Sequence, residues 1–435
     1  MTKYSFPNDF LWGSATSAFQ VEGDCTNHDF YAWSLQGRIK DGSNPTDAVL
    51  HYQKYQTDLQ LLKKLNHNAA RIGLEWARIE PSEGVFDETV IAHYRDELTQ
   101  MRELGLKTMV TLHHFANPLW FTAFGGWKNS QTITYFLSYV TKITASLGDL
   151  VDFWLTFNEP NTYLVEAYFL GNFPPGEKSL FSSQIVSKNF IKAHRQAYSI
   201  IKKIHQENGF IPAEIGWSVA WVHFEPASNN PLHHLGTWLA NHLFLNQLLN
   251  PIKKQLDFIG LQYYRSDLIR FPFTNLPHSE NTPKSKLGWD MIPEHFYLAL
   301  KNCWQKYQIP IYVTENGVCD ENDELRPGYL VQHLYHLWRA LQDGIPIKGY
   351  FHWSTLDNFE LVQGLACRFG LIHVDHESPE RTRTIKPSGH LYAQIIQAGG
   401  LTDELLQQYP LVNLNATPQI HQAPNQHTNQ ITPHL

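Results

Sequence analysis

The sequence predicts a single (β/α)8 barrel. Eight short apolar runs recur along 435 residues, amphipathic helical patterns separate most of them, and no change of composition marks a second domain. In chain order the runs are FLWGSA (10–15), AARIGLEW (69–76), KTMVTLHH (107–114), DFWLTFNE (152–159), AEIGWSVAW (213–221), DFIGLQYY (257–264), IYVTENG (311–317) and KGYFHWST (348–355). Each is rich in β-branched or aromatic residues, as a buried strand requires. Between them, YQTDLQLLKKLNH (55–67) and GYLVQHLYHLWRAL (328–341) place apolar residues at helical spacing. Strands that alternate with helices are parallel and joined by crossovers, and eight such units close a barrel. The barrel is expected over 1–412. The segment 270–290 reads as a Pro- and Ser-bearing loop after the sixth strand, and 413–435 as a polar tail rich in Gln, Asn, Pro, His and Thr.

The strand ends are where the sequence departs from pure packing. His113 and His114, Asn158 and Glu159, Tyr263 and Tyr264, and Glu315 and Asn316 all close apolar runs. One polar residue at one end is a cap. Polar residues at this many ends converge on the C-terminal mouth of a barrel, where active sites sit. Glu159 and Glu315 close the fourth and seventh strands, so they should face each other across the axis.

The composition excludes several classes of function. Hydrophobic residues at 43% and charged residues at 17% describe a globular chain with ample core, and a formal charge of −7 without any Lys/Arg run argues against a nucleic-acid partner. No segment approaches the length of a membrane span, and the N-terminus lacks the apolar stretch of a signal peptide. The four cysteines form no CxxC pair and read as free thiols in a reducing compartment. A cytoplasmic protein is the expectation. Aromatics at 13% supply flat apolar faces of the kind that suit sugar rings.

Two carboxylates facing each other in an aromatic cleft match the needs of glycoside hydrolysis: one protonates the leaving oxygen and the other meets the positive charge at the anomeric carbon. The motifs make this specific. TFNEP (156–160) and TENG (314–317) resemble the acid/base and nucleophile motifs of family 1 glycoside hydrolases, FPNDFLWGSATSAFQVEG (6–23) resembles that family's opening, and WSTLDNFE (353–360) its sugar-binding segment. The resemblance runs from Phe6 to about His390. It implies Glu159 as acid/base and Glu315 as nucleophile. It further implies Asn158 on the sugar 2-hydroxyl; Gln20, His114 and Glu360 on other ring hydroxyls; Trp353 as stacking floor; Tyr264 as donor to the nucleophile; and Arg71 beside Glu315. Trp289 resembles a platform for the aglycone. The implied substrate is a small β-glycoside or oligosaccharide, split through a covalent intermediate, with retention if the carboxylates lie about 5–5.5 Å apart. No cofactor or metal is implied.

Physical chemistry points the same way for Arg71 and the pair. Arg71 interrupts an apolar strand and needs an anionic partner. Beside Glu315 it should pull that carboxyl down and keep it ionised, while the charge of Glu315 should hold Glu159 protonated.

The chain departs from the family at Leu361, where Trp usually follows the glutamate of NFE; at Gln262, usually Asn; and at Phe115 and Ala116, often Trp and Asp. These positions lie in or behind the glycone subsite, so glucose, galactose and fucose remain open. Glu360 stands where relatives acting on 6-phosphorylated sugars carry Ser, which argues against a phospho-sugar. Among the 23 histidines, adjacent His113 and His114 point to opposite faces, and His333 and His336 have no carboxylate placed as third ligand, so hydrogen-bonded histidines are expected rather than a metal site. Two other functions compete with hydrolysis. A sugar-binding module without turnover would lose a carboxylate, and both are present. A transglycosylase would use the same residues and differ only on the acceptor side.

Overall fold

The computed structural model describes residues 3–411. The tail expected at 413–435 lies outside the described residues. The eight apolar runs form the eight barrel strands: β1 (Leu11–Ala15), β2 (Ala69–Gly73), β3 (Lys107–Thr111), β4 (Phe153–Leu155), β5 (Glu214–Ala220), β6 (Phe258–Gln262), β7 (Ile311–Asn316) and β8 (Ile347–Trp353). They pair in parallel in chain order, and β8 closes the barrel onto β1.

Alternation along the strands sorts side chains into two packed layers. Ala69, Met109, Phe153, Leu155, Phe258, Tyr312 and Phe351 fill the barrel interior, while Ala70, Val110, Trp154, Ile259, Val313 and Tyr350 pack outward against the helices. Gly13 and Gly216 occupy inward positions. A Cβ at Gly216 would lie 2.5 Å from the Phe258 ring, and one at Gly13 would lie 2.9 Å from that of Phe351. Glycine there lets two large rings fill the axis.

Helices His51–Lys64, Glu88–Glu103, Thr132–Leu147, Leu180–Glu207, Pro231–Asn241, Pro293–Tyr307, Arg326–Gln342 and Pro387–Ala398 surround the barrel. The helix expected at 55–67 starts and ends earlier than its pattern, because Asn66 (φ 59°) turns the chain into the left-handed region before β2.

Two expectations need correction. The segment 270–290 is not all loop: Thr274–Leu276 pairs with Ser266–Arg270, which also pairs with His223–Pro226 in a small sheet continuing beyond β5 and β6. Strands of three to five residues carry too short an alternation to be read from a Pro-rich segment. Nor are all four cysteines free. Cys319 and Cys367 form a disulfide with Cα atoms 5.6 Å apart, joining the loops after β7 and β8, while Cys25 and Cys303 are buried thiols. Spacing of 48 residues hides the pair, because the barrel brings those loops together. The cysteine argument for a reducing compartment therefore does not hold for this pair. No helix among the described residues is long and apolar enough to cross a membrane.

Candidate active site

Gln20, His114, Asn158, Glu159, Tyr264, Trp289, Glu315, Trp353 and Glu360 line one cavity at the C-terminal mouth of the barrel. Arg71 lies beneath it, fully buried. These are the ten residues singled out above, drawn from strands, loops and, for Gln20, the short helix Ala18–Val21.

Glu315 sits at the end of β7, held from several directions. Arg71 Nη1 donates to its Oε1 at 2.5 Å, Gln262 Nε2 donates to the same oxygen at 2.8 Å, and Tyr264 Oη donates to Oε2 at 2.6 Å. Arg71 also donates to Asn158 Oδ1 at 2.6 Å, which Gln262 reaches too at 2.8 Å. One guanidinium and one amide thus fix both Asn158 and the nucleophile candidate.

Sequence reasoning noted Gln262 only as a departure from the family and missed its contact. The signal lies in strand register: β7 is irregular between Val313 and Glu315, which sets Glu315 opposite Gln262 on β6. A bulge of this kind re-aims a side chain.

Glu159 closes the β4 run before Pro160. Its backbone sits in the left-handed region (φ 38°, ψ 57°), uncommon for a residue with a Cβ and costing on the order of 1–2 kcal/mol. Backbone hydrogen bonds to His113 and Ser218 on either side pin it there, from Asn158 N at 2.8 Å and Glu159 N at 3.0 Å.

The electrostatics separate the two carboxylates. Burial, then the charge of Glu315, pushes Glu159 up to about 8, with a hydrogen bond from Thr162 and the charge of Arg71 opposing. Burial also raises Glu315, against the pull of Arg71, Tyr264 and Gln262. The expectation that Arg71 brings Glu315 below its ordinary value is therefore corrected: the pull exists, but desolvation of the buried carboxyl outweighs it. The ordering between the two survives, because Glu315 has the cationic and hydroxyl donors and Glu159 faces a like charge.

The remaining residues form walls. Trp353 donates Nε1–H to Glu360 Oε2 at 3.3 Å and lies 5.8 Å from His114, ring to ring. His114 Nδ1 is buried without a hydrogen-bond partner, and burial holds the ring well below its ordinary pKa. The neutral imidazole offers one donor and one acceptor to the cavity. His113 points the other way, to Asn117 and the rings of Trp127 and Phe157. Gln20 Nε2 is anchored to Phe359 O at 2.9 Å and Asn358 Oδ1 at 3.2 Å. Trp289 packs edge-on to Tyr264, with the Arg265 guanidinium 5.6 Å above its ring. Burial raises Glu360 to about 8, with the hydrogen bond from Trp353 opposing, which favours the protonated carboxyl near neutral pH. The repulsion expected against a phosphate is correspondingly weaker than an ionised carboxylate would give.

Leu361 (φ 51°) lines the cavity and also an adjoining recess walled by Trp33, Arg38, Lys40 and Gln363. Thr162, Glu166 and Glu360 line both hollows with it. His336 Nε2 lies 3.6 Å from Glu294, while His333 Nδ1 is satisfied by Tyr329 O at 2.7 Å, so the carboxylate meets only one ring of that pair.

Arg71→Met tests the buried centre. Breaking a buried ion pair while leaving the other charge in place costs about 3–5 kcal/mol. Urea unfolding should show a loss of that order at pH 8. It should be smaller at pH 5, where protonation of Glu315 removes the stranded charge. An equal loss at both pH values would mean that Arg71 acts through packing alone.

A barrel with two buried carboxylates of unequal proton affinity among aromatic walls and neutral hydrogen-bonding groups defines a glycoside hydrolase. The comparisons with known proteins give the family. Residues 2–247 and 239–401 match the model of glycosyl hydrolase family 1. A 1,4-beta-D-glucan glucohydrolase of Thermotoga neapolitana is 29% identical over 92% of this chain and 99% of its own. A beta-galactosidase of Pyrococcus woesei is also 29% identical, over 92% and 98%. The structure of a beta-glycosidase from Pyrococcus horikoshii superposes with a TM-score of 0.88 at 32% identity, covering 95% of this chain and all of that one. The chain belongs to glycosyl hydrolase family 1 and is a β-glycosidase.

Proposed function

We propose that the protein hydrolyses terminal, non-reducing β-D-glycosyl residues of small glycosides with retention of configuration, acting on β-glucosides and also on β-fucosides and β-galactosides. The observation that carries this is the contrast between Glu315, held by three donors, and Glu159, pushed up to about 8 in the same cavity. The names of the relatives support both a gluco and a galacto substrate.

In the first step the Glu315 carboxylate forms a bond to the anomeric carbon as the bond to the leaving oxygen breaks. Glu159 gives that oxygen its proton. Asn158 is placed for the 2-hydroxyl, whose contact strengthens as charge develops. Once Glu315 is an ester its charge is gone, so Glu159, now a carboxylate, no longer faces a like charge. It then takes a proton from water as the water oxygen bonds to the anomeric carbon and Glu315 leaves. Passing the sugar to an alcohol instead of water uses the same intermediate, and Trp289 borders the acceptor side for either outcome.

A panel of aryl β-glycosides (gluco, galacto, fuco and 6-phosphogluco), with the product anomer followed by NMR, tests this reading. A β-anomer as first product is expected, and an α-anomer would overturn retention. Leu361→Trp tests specificity. Restoring an indole N–H is worth on the order of 0.5–1.5 kcal/mol, about tenfold in rate if it acts in the transition state. It should raise kcat/KM for glucosides more than for fucosides, and the wild type should process the three sugars within about tenfold of each other. A wild type already selective for glucose by about a hundredfold would show that Leu361 does not set the preference.

A further inference from the structure

Outside the cavity, three imidazoles converge on one carboxylate. Glu225, on the strand His223–Pro226, has His223 Nε2 at 3.6 Å from its Oε1, and His295 Nε2 at 3.5 Å and His278 Nε2 at 3.3 Å from its Oε2. These residues come from three places: the small outer sheet, the segment before Trp289, and the first turn of the helix Pro293–Tyr307. One ligand atom from each of His223, Glu225 and His295 lies within 4.8 Å of the others.

All three separations are longer than the about 2.7–2.9 Å of a charge-assisted N–H···O contact. They lie near the about 3.3–3.4 Å that separates ligands held about 2.0–2.1 Å from a tetrahedral ion. His278 Nε2 is buried and makes no hydrogen bond.

The far nitrogen of His295 is held as a metal ligand requires: its Nδ1 meets Ser266 Oγ at 2.8 Å, which fixes the tautomer and turns Nε2 toward an ion. His278 Nδ1 beside the site meets the Asp290 carboxylate at 2.9 Å. We propose that His223, Glu225 and His295 bind a divalent transition metal of the zinc type, with His278 bordering the site. Two imidazole nitrogens and a carboxylate suit Zn2+ or Co2+ rather than Ca2+ or Mg2+. The ion would tie the outer sheet to the helix that follows Trp289. Among the described residues this is the one such ligand group.

The test is titration of the metal-free full chain with Co2+, read by its visible d–d bands, alongside thermal unfolding with and without Zn2+. One Co2+ per chain with the intense bands of a tetrahedral site, and a Tm raised by Zn2+, are expected. His295→Ala should abolish saturable uptake. Glu225→Gln, which keeps the side chain's size, should also lose it, and Ser266→Ala should weaken it by about ten- to a hundredfold. No saturable uptake by the wild type would overturn the proposal. So would uptake that persists unchanged in both His295→Ala and Glu225→Gln.

Discussion

Replacing Glu315 by glycine is expected to lower kcat on natural β-glycosides by roughly 10⁴-fold or more, because no covalent intermediate can then form. That corresponds to about 5 kcal/mol or more of lost transition-state stabilisation. The same variant should still condense an α-glycosyl fluoride with an acceptor sugar. Fluoride there occupies the face on which Glu315 would bond, and its departure as the acceptor hydroxyl attacks needs only a base. Glu159 remains to take that proton. Product analysis by mass spectrometry and NMR decides it: hydrolysis retained at wild-type rate would remove Glu315 from the nucleophile's place, whereas failure of both reactions with a folded variant would point to collapse around Arg71. Arg71, Asn158 and Gln262 form one hydrogen-bonded unit with the missing carboxylate, so the folded state should be checked by its unfolding transition.

Glu159→Ala should separate substrates by their leaving groups. Poor leaving groups need a proton and should slow by about 10²–10⁴-fold, while activated aryl glycosides, whose phenolate departs unaided, should lose far less in the first step. Azide, a small nucleophile that needs no base, should restore turnover and yield a β-glycosyl azide. The pH profile gives an independent readout. An acid works only when protonated, so wild-type activity should fall as pH rises through about 8, the value to which burial and the charge of Glu315 push this group. The alkaline limb should disappear in Glu159→Ala. Equal loss on both classes of substrate, or an unchanged alkaline limb, would count against Glu159 as the acid.

The sequence by itself determined the barrel and its mouth. Parallel strands wrapped by helices are buried on both faces, so each reads as an unbroken apolar run, and eight such runs were countable. A polar residue ending such a run is conspicuous because burial penalises it, which is why Asn158, Glu159, Tyr264 and Glu315 stood out. What distance in space creates could not be read. Gln262 touches Glu315 because of an irregular register between β6 and β7, and register is a property of two strands together. Cys319 meets Cys367 only because the loops after β7 and β8 adjoin. The net rise of Glu315 depends on how completely its neighbours exclude water, which no linear spacing records. The cluster around Glu225 draws on a short strand, a loop and a helix start whose histidines, taken singly, look like any others. Chain-local chemistry was legible; proximity, register and desolvation belong to the folded chain, because each is set by atoms far apart in sequence.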